Sequence, residues 1–299
     1  MKDMKTIDNR FLLNTAIEVM KKSCTEIASD AKELLLQASK KERSPAAKRL
    51  LEMMVKNAEL ASTEGKPVCQ SPGYPVAYIT LGDRVSINAN FQKVLGEAIV
   101  IATNDGYLRP SMVDPITRVN SGDNSGIGVP DIEIEHVPDA DYVDLVVSFK
   151  GCGAELANVT KVLTPFQVGE NGLGVKKLVL ETVANAGGIP CPPVAIGVGI
   201  GGQIHYAAKL SRRAIGLRKW TDKNVDPDVA EMENELLRLV NQLGIGPAGI
   251  GGDTTALAVK VEKVHTHTAI CPVAINFHCW PARRAGVRIH SDKTVEQLF

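Results

Sequence analysis

The sequence predicts a mixed α/β fold of the α+β kind, with an N-terminal helical region followed by interleaved strands and helices. Three observations predict it. Residues 7–64 carry apolar side chains at helical spacing. From residue 68 onward, short Val- and Ile-rich runs alternate with further helical patterns. Clusters of Gly, Pro, Asn and Asp punctuate the boundaries. No repeat, linker or low-complexity tract interrupts the 299 residues. The expectation is therefore one domain over 1–299, with a helical part at 1–65 and an α/β part at 66–299.

The elements follow in order. Ile7, Phe11, Leu12 and Ala16 keep helical spacing, as do Leu50, Leu51, Met54, Val55 and Ala58. Ser44-Pro45 reads as an N-cap followed by proline at the first helical position. Gly65 and Lys66-Pro67 close this helical block. VCQSPGYPVAYITLGD is a turn leading into a strand, and residues 90–105 return to helical periodicity. RVNSGDNSGIGVPD is too polar for a core and is expected as a loop. DIEIEHV alternates like a half-exposed strand, and YVDLVVSFKG reads as a more buried strand stopped by a GCG turn. A helix is expected over 172–186, then a turn, a strand and a glycine loop in GGIPCPPVAIGVGIGG. HYAAKLSRRAI is helical, and Asp226-Pro227 caps another helix that ends near Gly244. ALAVKVEKVHT, CPVAINFHC and VRIHSD complete the strands.

Lys plus Arg and Asp plus Glu each number 34, so the net charge is zero. That balance argues against nucleic acid and anionic membrane as main partners. Apolar content of 44% and charged content of 23% are ordinary for a globular protein. The first residues, MKDMKTIDNRFLLNTAIEVMKKS, lack the apolar core of a signal peptide, and no run approaches membrane-spanning length. A cytoplasmic location is expected.

Gly197, Gly199 and Gly202 spell G-x-G-x-x-G between a strand and a helix, which opens the reading of a nicotinamide oxidoreductase. Asp222, downstream, does not end an apolar second strand, so a local use of the loop is favoured, with amides at the helix start facing an anion. The six cysteines are Cys24, Cys69, Cys152, Cys191, Cys271 and Cys279, with no CxxC pair among them. In a reducing compartment they are no disulfide framework. Cys24 on a helix and Cys271 in a strand favour the core, while Cys152 sits in a tight, exposed turn. Cys69, Cys191 and Cys279 stand at turns bordered by proline, rigid settings that can present a thiolate. The HTH spacing of His265 and His267 puts both on one face of a strand, a weak metal hint. Arg283-Arg284 reads as solvated surface. Arg109, between Leu108 and Pro110 beside the polar loop, is suited to gripping a carboxylate.

VCQSPG, LRPSMVDPITRVNSGDNSG, SFKGCGAELAN, VLETVANAGGIPCPPVAIGVGIGG and HTAICPVAINFHCWPARRA occur in that order. Together they resemble the α-subunit, or N-terminal region, of class I fumarate hydratases and L-tartrate dehydratases, over nearly the whole chain. The resemblance implies a hydro-lyase acting on a small 2-hydroxy acid. It also implies one [4Fe-4S] cluster per chain, held by Cys69, Cys191 and Cys279, with an open iron and sensitivity to oxygen. Gln70, Arg109 and Gly151 would fall in the substrate pocket, with His267 and Ser71 at catalytic positions. A β-subunit would complete an α2β2-type assembly and supply the general base. The chain departs from the family at its first motif, usually Cys-Gln-Asp-Thr-Gly and here Cys69-Gln70-Ser71-Pro72-Gly73. Ser71 carries no charge near neutrality, which points away from fumarate and towards another hydroxy acid. The family's glycine-rich KGGG-type block reads Lys150-Gly151-Cys152-Gly153. Two rivals stand beside this reading: the nicotinamide oxidoreductase, and a catalytically altered paralogue or iron–sulfur sensor.

Overall fold

The computed structural model describes residues 5–299, and its helices and mixed sheets make the fold mixed α/β. The chain forms two compact units, one of residues 5–29, Asn57–Lys150 and Pro281–Phe299, the other of Asp30–Lys56 and Gly151–Trp280.

In the first unit (elements numbered along the chain), residues 7–8 are not helical. They form a two-residue strand, β1 (Ile7–Asp8), parallel to β3 (Ile87–Asn88). Asp8 then caps α1 (Asn9–Thr25), its carboxylate accepting from the Phe11 amide at 2.9 Å. Asn90 caps α4 (Phe91–Asn104) in the same way through the Lys93 amide. Both helices turn apolar stripes, including Leu12, Val19, Leu95 and Ile99, into a core shared with Leu145 and Phe149. Each such side chain contributes roughly 1.5–3 kcal/mol on burial.

The sheet of this unit has the order β11 (Val295–Gln297), β10 (Arg283–His290), β5 (Tyr142–Lys150), β2 (Tyr74–Gly82), β4 (Asp131–Val137). Only β2 and β4 run parallel. β5 is central, which explains its near-continuous apolar sequence. The strand expected at VRIHSD begins earlier. Arg283 and Arg284 are its first residues and are 1% and 2% exposed, so the expectation of a solvated pair is overturned.

The second unit holds α2 (Ser29–Lys41) and the start of α3 (Pro45–Glu64), with the Ser44 cap and the proline that follows it as expected. The GCG segment is not a free turn: Gly151 is the N-cap of a short helix, α5 (Cys152–Leu156). After it come β6 (Val159–Leu163), which the sequence pattern did not mark, α6 (Pro165–Val168) and α7 (Leu173–Ala186). β7 (Val194–Ile200), α8 (Ile204–Gly216), α9 (Pro227–Gln242), β8 (Ala256–Lys263) and β9 (Cys271–His278) complete it. The sheet order is β6-β9-β7-β8, with β7 and β8 parallel and the other pairs antiparallel.

β8 stops at Lys263 because its partner stops: Ile200↔Lys263 is the last pair of the β7–β8 ladder. His265 and His267 therefore lie on a loop and share no strand face, contrary to expectation. The glycine motif is also reassigned. Gly197 and Gly199 lie inside β7, where a Cβ on either would collide with the α8 backbone at Ser211 or Ala207. They are glycines so that helix and strand can touch. Among the described residues, no helix is long and apolar enough to cross a membrane.

Candidate active site

One end of the five-stranded sheet gathers several of the residues singled out by sequence. The register pairs Val76↔Asp131, Tyr74↔Lys150 and Arg283↔Phe149 put the starts of β2, β4 and β10 beside the end of β5. The Cys69 turn enters β2 there, and the polar loop 109–130 enters β4. The Tyr74 hydroxyl donates to the Gly128 carbonyl at 2.6 Å and ties the two together.

The Cys69 turn is held from several sides. Val68 donates its N–H to the Cys24 carbonyl, and its own carbonyl accepts from the Asn57 side chain. The Ser71 N–H donates towards the Cys69 sulfur at 3.5 Å, and the buried Arg283 guanidinium donates to the Ser71 carbonyl. Gly73, at φ +87, supplies the left-handed step that closes the turn. Cys69 and Ser71 are half-buried, and Gln70 is exposed. Burial pushes the neighbouring Cys24 thiol up to about 11, with Arg283 opposing the shift, so Cys24 is an inert core thiol.

Arg109 is exposed, and among the described residues its guanidinium has no hydrogen bond or ion pair. Its backbone, by contrast, is fixed: the Asn124 side chain donates to the Arg109 carbonyl at 3.0 Å. Asn124 carries no distinguishing signal in the sequence. Its neighbours Asp123 and Ser125 are equally polar, and only its buried placement sets it apart.

In the second unit the N-terminal end of β7 meets the C-terminal end of β9, through the pair Ala195↔His278. Cys191 and Cys279 are thereby brought onto neighbouring loops, joined by the Trp280 N–H to the Cys191 carbonyl at 3.3 Å. Cys191 is exposed and adopts φ +55, while Cys279 is buried. A glycine-rich loop backs the Cys191 turn, and its Ala248 N–H donates to the Pro192 carbonyl at 2.8 Å. Buried Glu42 anchors that loop in turn, accepting from the Asp253 amide at 3.0 Å and the Thr254 amide at 3.2 Å. His278 donates Nδ1–H to the Cys279 carbonyl at 3.0 Å, since a carbonyl can only accept, and packs edge-on to Trp220. Gly151 is buried, and the α5 turn it starts abuts the Ile189 carbonyl through Gly153. Cys152 is exposed, and Cys271 is half-buried at the start of β9 with its thiol pushed up by burial.

His267 is placed elsewhere. It follows β8, at the end of the sheet remote from Cys191 and Cys279, and β7 alone spans roughly 20 Å at ~3.3 Å per residue. Its Nδ1 accepts from the Ala269 N–H at 3.2 Å, which leaves the neutral ring's proton on Nε2. The glycine-loop amides at 201 and 202 do not face an anion as expected: Gly201 N–H goes to the Pro272 carbonyl and Gly202 N–H to the His265 carbonyl.

Among the described residues no group of three or more His, Cys, Asp or Glu side chains is gathered as a metal site. Cys191 and Cys279 nevertheless suit soft-metal ligation, being two thiols on hydrogen-bonded loops that their neighbours brace. Cys69 is a further turn thiol, on the first unit, and its turn is held by Arg283 of the same unit.

The family model described as fumarate hydratase (Fumerase) matches residues 13–288. The putative L(+)-tartrate dehydratase subunit alpha of Methanocaldococcus jannaschii is 38% identical over 284 residues, spanning 93% of this chain and 98% of that protein. L(+)-tartrate dehydratase subunit alpha of Escherichia coli strain UTI89 is 35% identical over 274 residues, spanning 92% of this chain and 89% of that protein. The same-named subunit of strain K12 is 34% identical over 274 residues, with 92% and 89% covered.

Proposed function

Because the chain belongs to the fumarate hydratase (Fumerase) family, and is a hydro-lyase on that ground, we propose that it is the α-subunit of an iron–sulfur enzyme that dehydrates a small 2-hydroxy diacid of the tartrate or malate class. The observation that carries the reading is the pair Cys191 and Cys279, held on adjoining loops with Cys191 exposed. In this reading Cys69, Cys191 and Cys279 hold one [4Fe-4S] cluster. When bound, the cluster supplies a Lewis acid at an iron that no cysteine occupies.

The chain's own residues do the rest. Arg109, exposed and without an internal partner among the described residues, grips a substrate carboxylate. Gln70 and Gly151 are the further substrate-contacting positions. Ser71 orients the substrate hydroxyl without carrying charge, which favours a tartrate-like acid over fumarate. The general base comes from a β-type partner in an α2β2-type assembly, in keeping with the alpha designation of the relatives. We place the enzyme in the cytoplasm, where such thiols stay reduced.

His267 enters as a separate arm, because its loop lies at the other end of the second sheet from Cys191 and Cys279. A fall in kcat in His267→Asn would place it in the chemistry, and an unchanged kcat would remove it. The altered-paralogue reading rests on Ser71 and predicts a cluster without turnover.

The test is anaerobic reconstitution with iron and sulfide, followed by a screen of L-tartrate, L-malate and citramalate with the co-expressed partner. The expected result is about one four-iron cluster per chain, lost in Cys69→Ser, Cys191→Ser and Cys279→Ser. Loss in Cys24→Ser or Cys271→Ser, with those three retaining the cluster, would refute the ligand set. Absorbance of the unsaturated acid reports dehydration of malate and citramalate, and the 2-oxo acid formed when the enol product tautomerises reports dehydration of tartrate. A cluster with no turnover on any acid would favour the sensor.

A further inference from the structure

A guanidinium that recognises a carboxylate must be held in place, because misplacement weakens a bidentate contact steeply. Arg109 sits at the start of a long polar loop, where its main chain would ordinarily be mobile. It is not left so. Asn124, from the far side of the loop, is 4% exposed and adopts φ +62, a left-handed conformation that asparagine tolerates better than most residues. Its side-chain oxygen accepts from the Ser111 amide at 2.7 Å and the Met112 amide at 3.1 Å. Its side-chain nitrogen donates to the Arg109 carbonyl at 3.0 Å and to the Thr103 hydroxyl at 2.9 Å. Thr103 belongs to α4, which packs into the core of the first unit.

One amide thus uses both its donors and both acceptor directions to fasten residues 109–112 to a core helix. Among the described residues the guanidinium of Arg109 has no internal partner, while its backbone is pinned.

We propose that Asn124 is the positioning residue that sets Arg109 for recognition of the substrate carboxylate. This rests on the reading of Arg109 given under the proposed function. The side chain of Asn124 does not touch substrate. It acts by fixing the main chain from which the guanidinium projects.

The experiment uses the enzyme isolated anaerobically with its partner, with L-tartrate and then L-malate as substrates. Arg109→Ala, Asn124→Ala and the double variant are compared for kcat and KM, and amide hydrogen exchange is followed at Ser111 and Met112. The expected result for Asn124→Ala is a KM about tenfold higher with kcat within about twofold, together with faster exchange at both amides. The double variant should be no worse than Arg109→Ala alone, because the two residues act through one contact. Asn124→Asp gives a second handle should the alanine variant fail to fold. It keeps the acceptor for Ser111 and Met112 but cannot donate to the Arg109 carbonyl, so exchange should stay slow while KM rises. Losses that multiply in the double variant, or an unchanged KM in both Asn124 variants, would overturn the proposal. An Arg109→Ala variant with unchanged KM would sink the carboxylate reading itself, and the proposal with it.

Discussion

Replacing Gly199 with alanine should unseat helix α8. The new Cβ would lie 2.6 Å from the Ser211 amide nitrogen and closer still to the Ala207 carbonyl oxygen, both backbone atoms of that helix. Backbone cannot rotate aside, so the helix itself must move. That loosens Ala207, Leu210, Ala214 and Ile215, which are buried on its inner face. Overpacking of a close-packed core costs about 1–3 kcal/mol, and a clash with rigid backbone belongs at or above the top of that range. At about 2 cal/mol/K of unfolding entropy per residue, ~3 kcal/mol lowers the melting temperature by roughly 5 °C if the whole chain melts together. It lowers it by roughly 9 °C if the second unit melts alone. Circular dichroism melts of wild type, Gly199→Ala and Gly96→Ala decide the matter. Gly96 is the control, since it lies within α4 and its Cβ would meet only the Val129 carbonyl, at 3.8 Å. Its replacement should be neutral or stabilising by up to about 1 kcal/mol. A Gly199→Ala protein that melts within about 1 °C of wild type would refute the seating of α8 on β7.

Three further outcomes are expected. Glu233→Ala should cost about 1–3 kcal/mol by chemical denaturation, because it strips a buried carboxylate from the Val261 amide at 2.8 Å and from the half-buried Arg218 at 2.7 Å, which keeps Asp222 and Glu262; a cost under about 0.5 kcal/mol would contradict it. Asp253 is held at about 2 by its hydrogen bond and ion pair with Arg43, below its ordinary 3.8. An acid depressed on folding adds stability above its unfolded value and loses it as pH falls through the folded one, so wild type and Asp253→Asn should differ near neutrality, by at most about 1 kcal/mol, and converge between pH about 4 and about 2. In the metal-free chain at pH about 8, a thiol reagent should modify exposed Cys152 and Cys191 first and leave Cys24 last, and labelling of Cys24 ahead of Cys191 would contradict its burial.

The local elements were legible where sequence pattern and tertiary role agree. DIEIEHV and YVDLVVSFKG became β4 and β5, and Asp226-Pro227 starts α9 with its carboxylate accepting from Asp228 and Val229. Pattern misled where the deciding partner was distant in sequence. The histidines of HTH continue an apolar run, but β8 ends where β7 runs out. Arg283 and Arg284 look like surface until β5 is found beside them. Gly197 and Gly199 spell a nucleotide motif, yet the reason for both is the helix that follows. The candidate site divides in the same way. Cys191 and Cys279 are far apart in sequence and meet only through the antiparallel pairing of β7 with β9. Asn124 left no trace in the sequence beyond an ordinary polar loop.

Cys191 stands at φ +55 in a chain that elsewhere meets most such backbone with glycine. A β-carbon there is a standing strain of about 1 kcal/mol or more. A library screened only for heat resistance should therefore favour glycine at 191 and shed the thiol without any loss of fold. With Cys191 a cluster ligand, as proposed above, robustness and catalytic competence would part company at that single position, and a stabilised lineage would fall silent as an enzyme before it weakened as a protein.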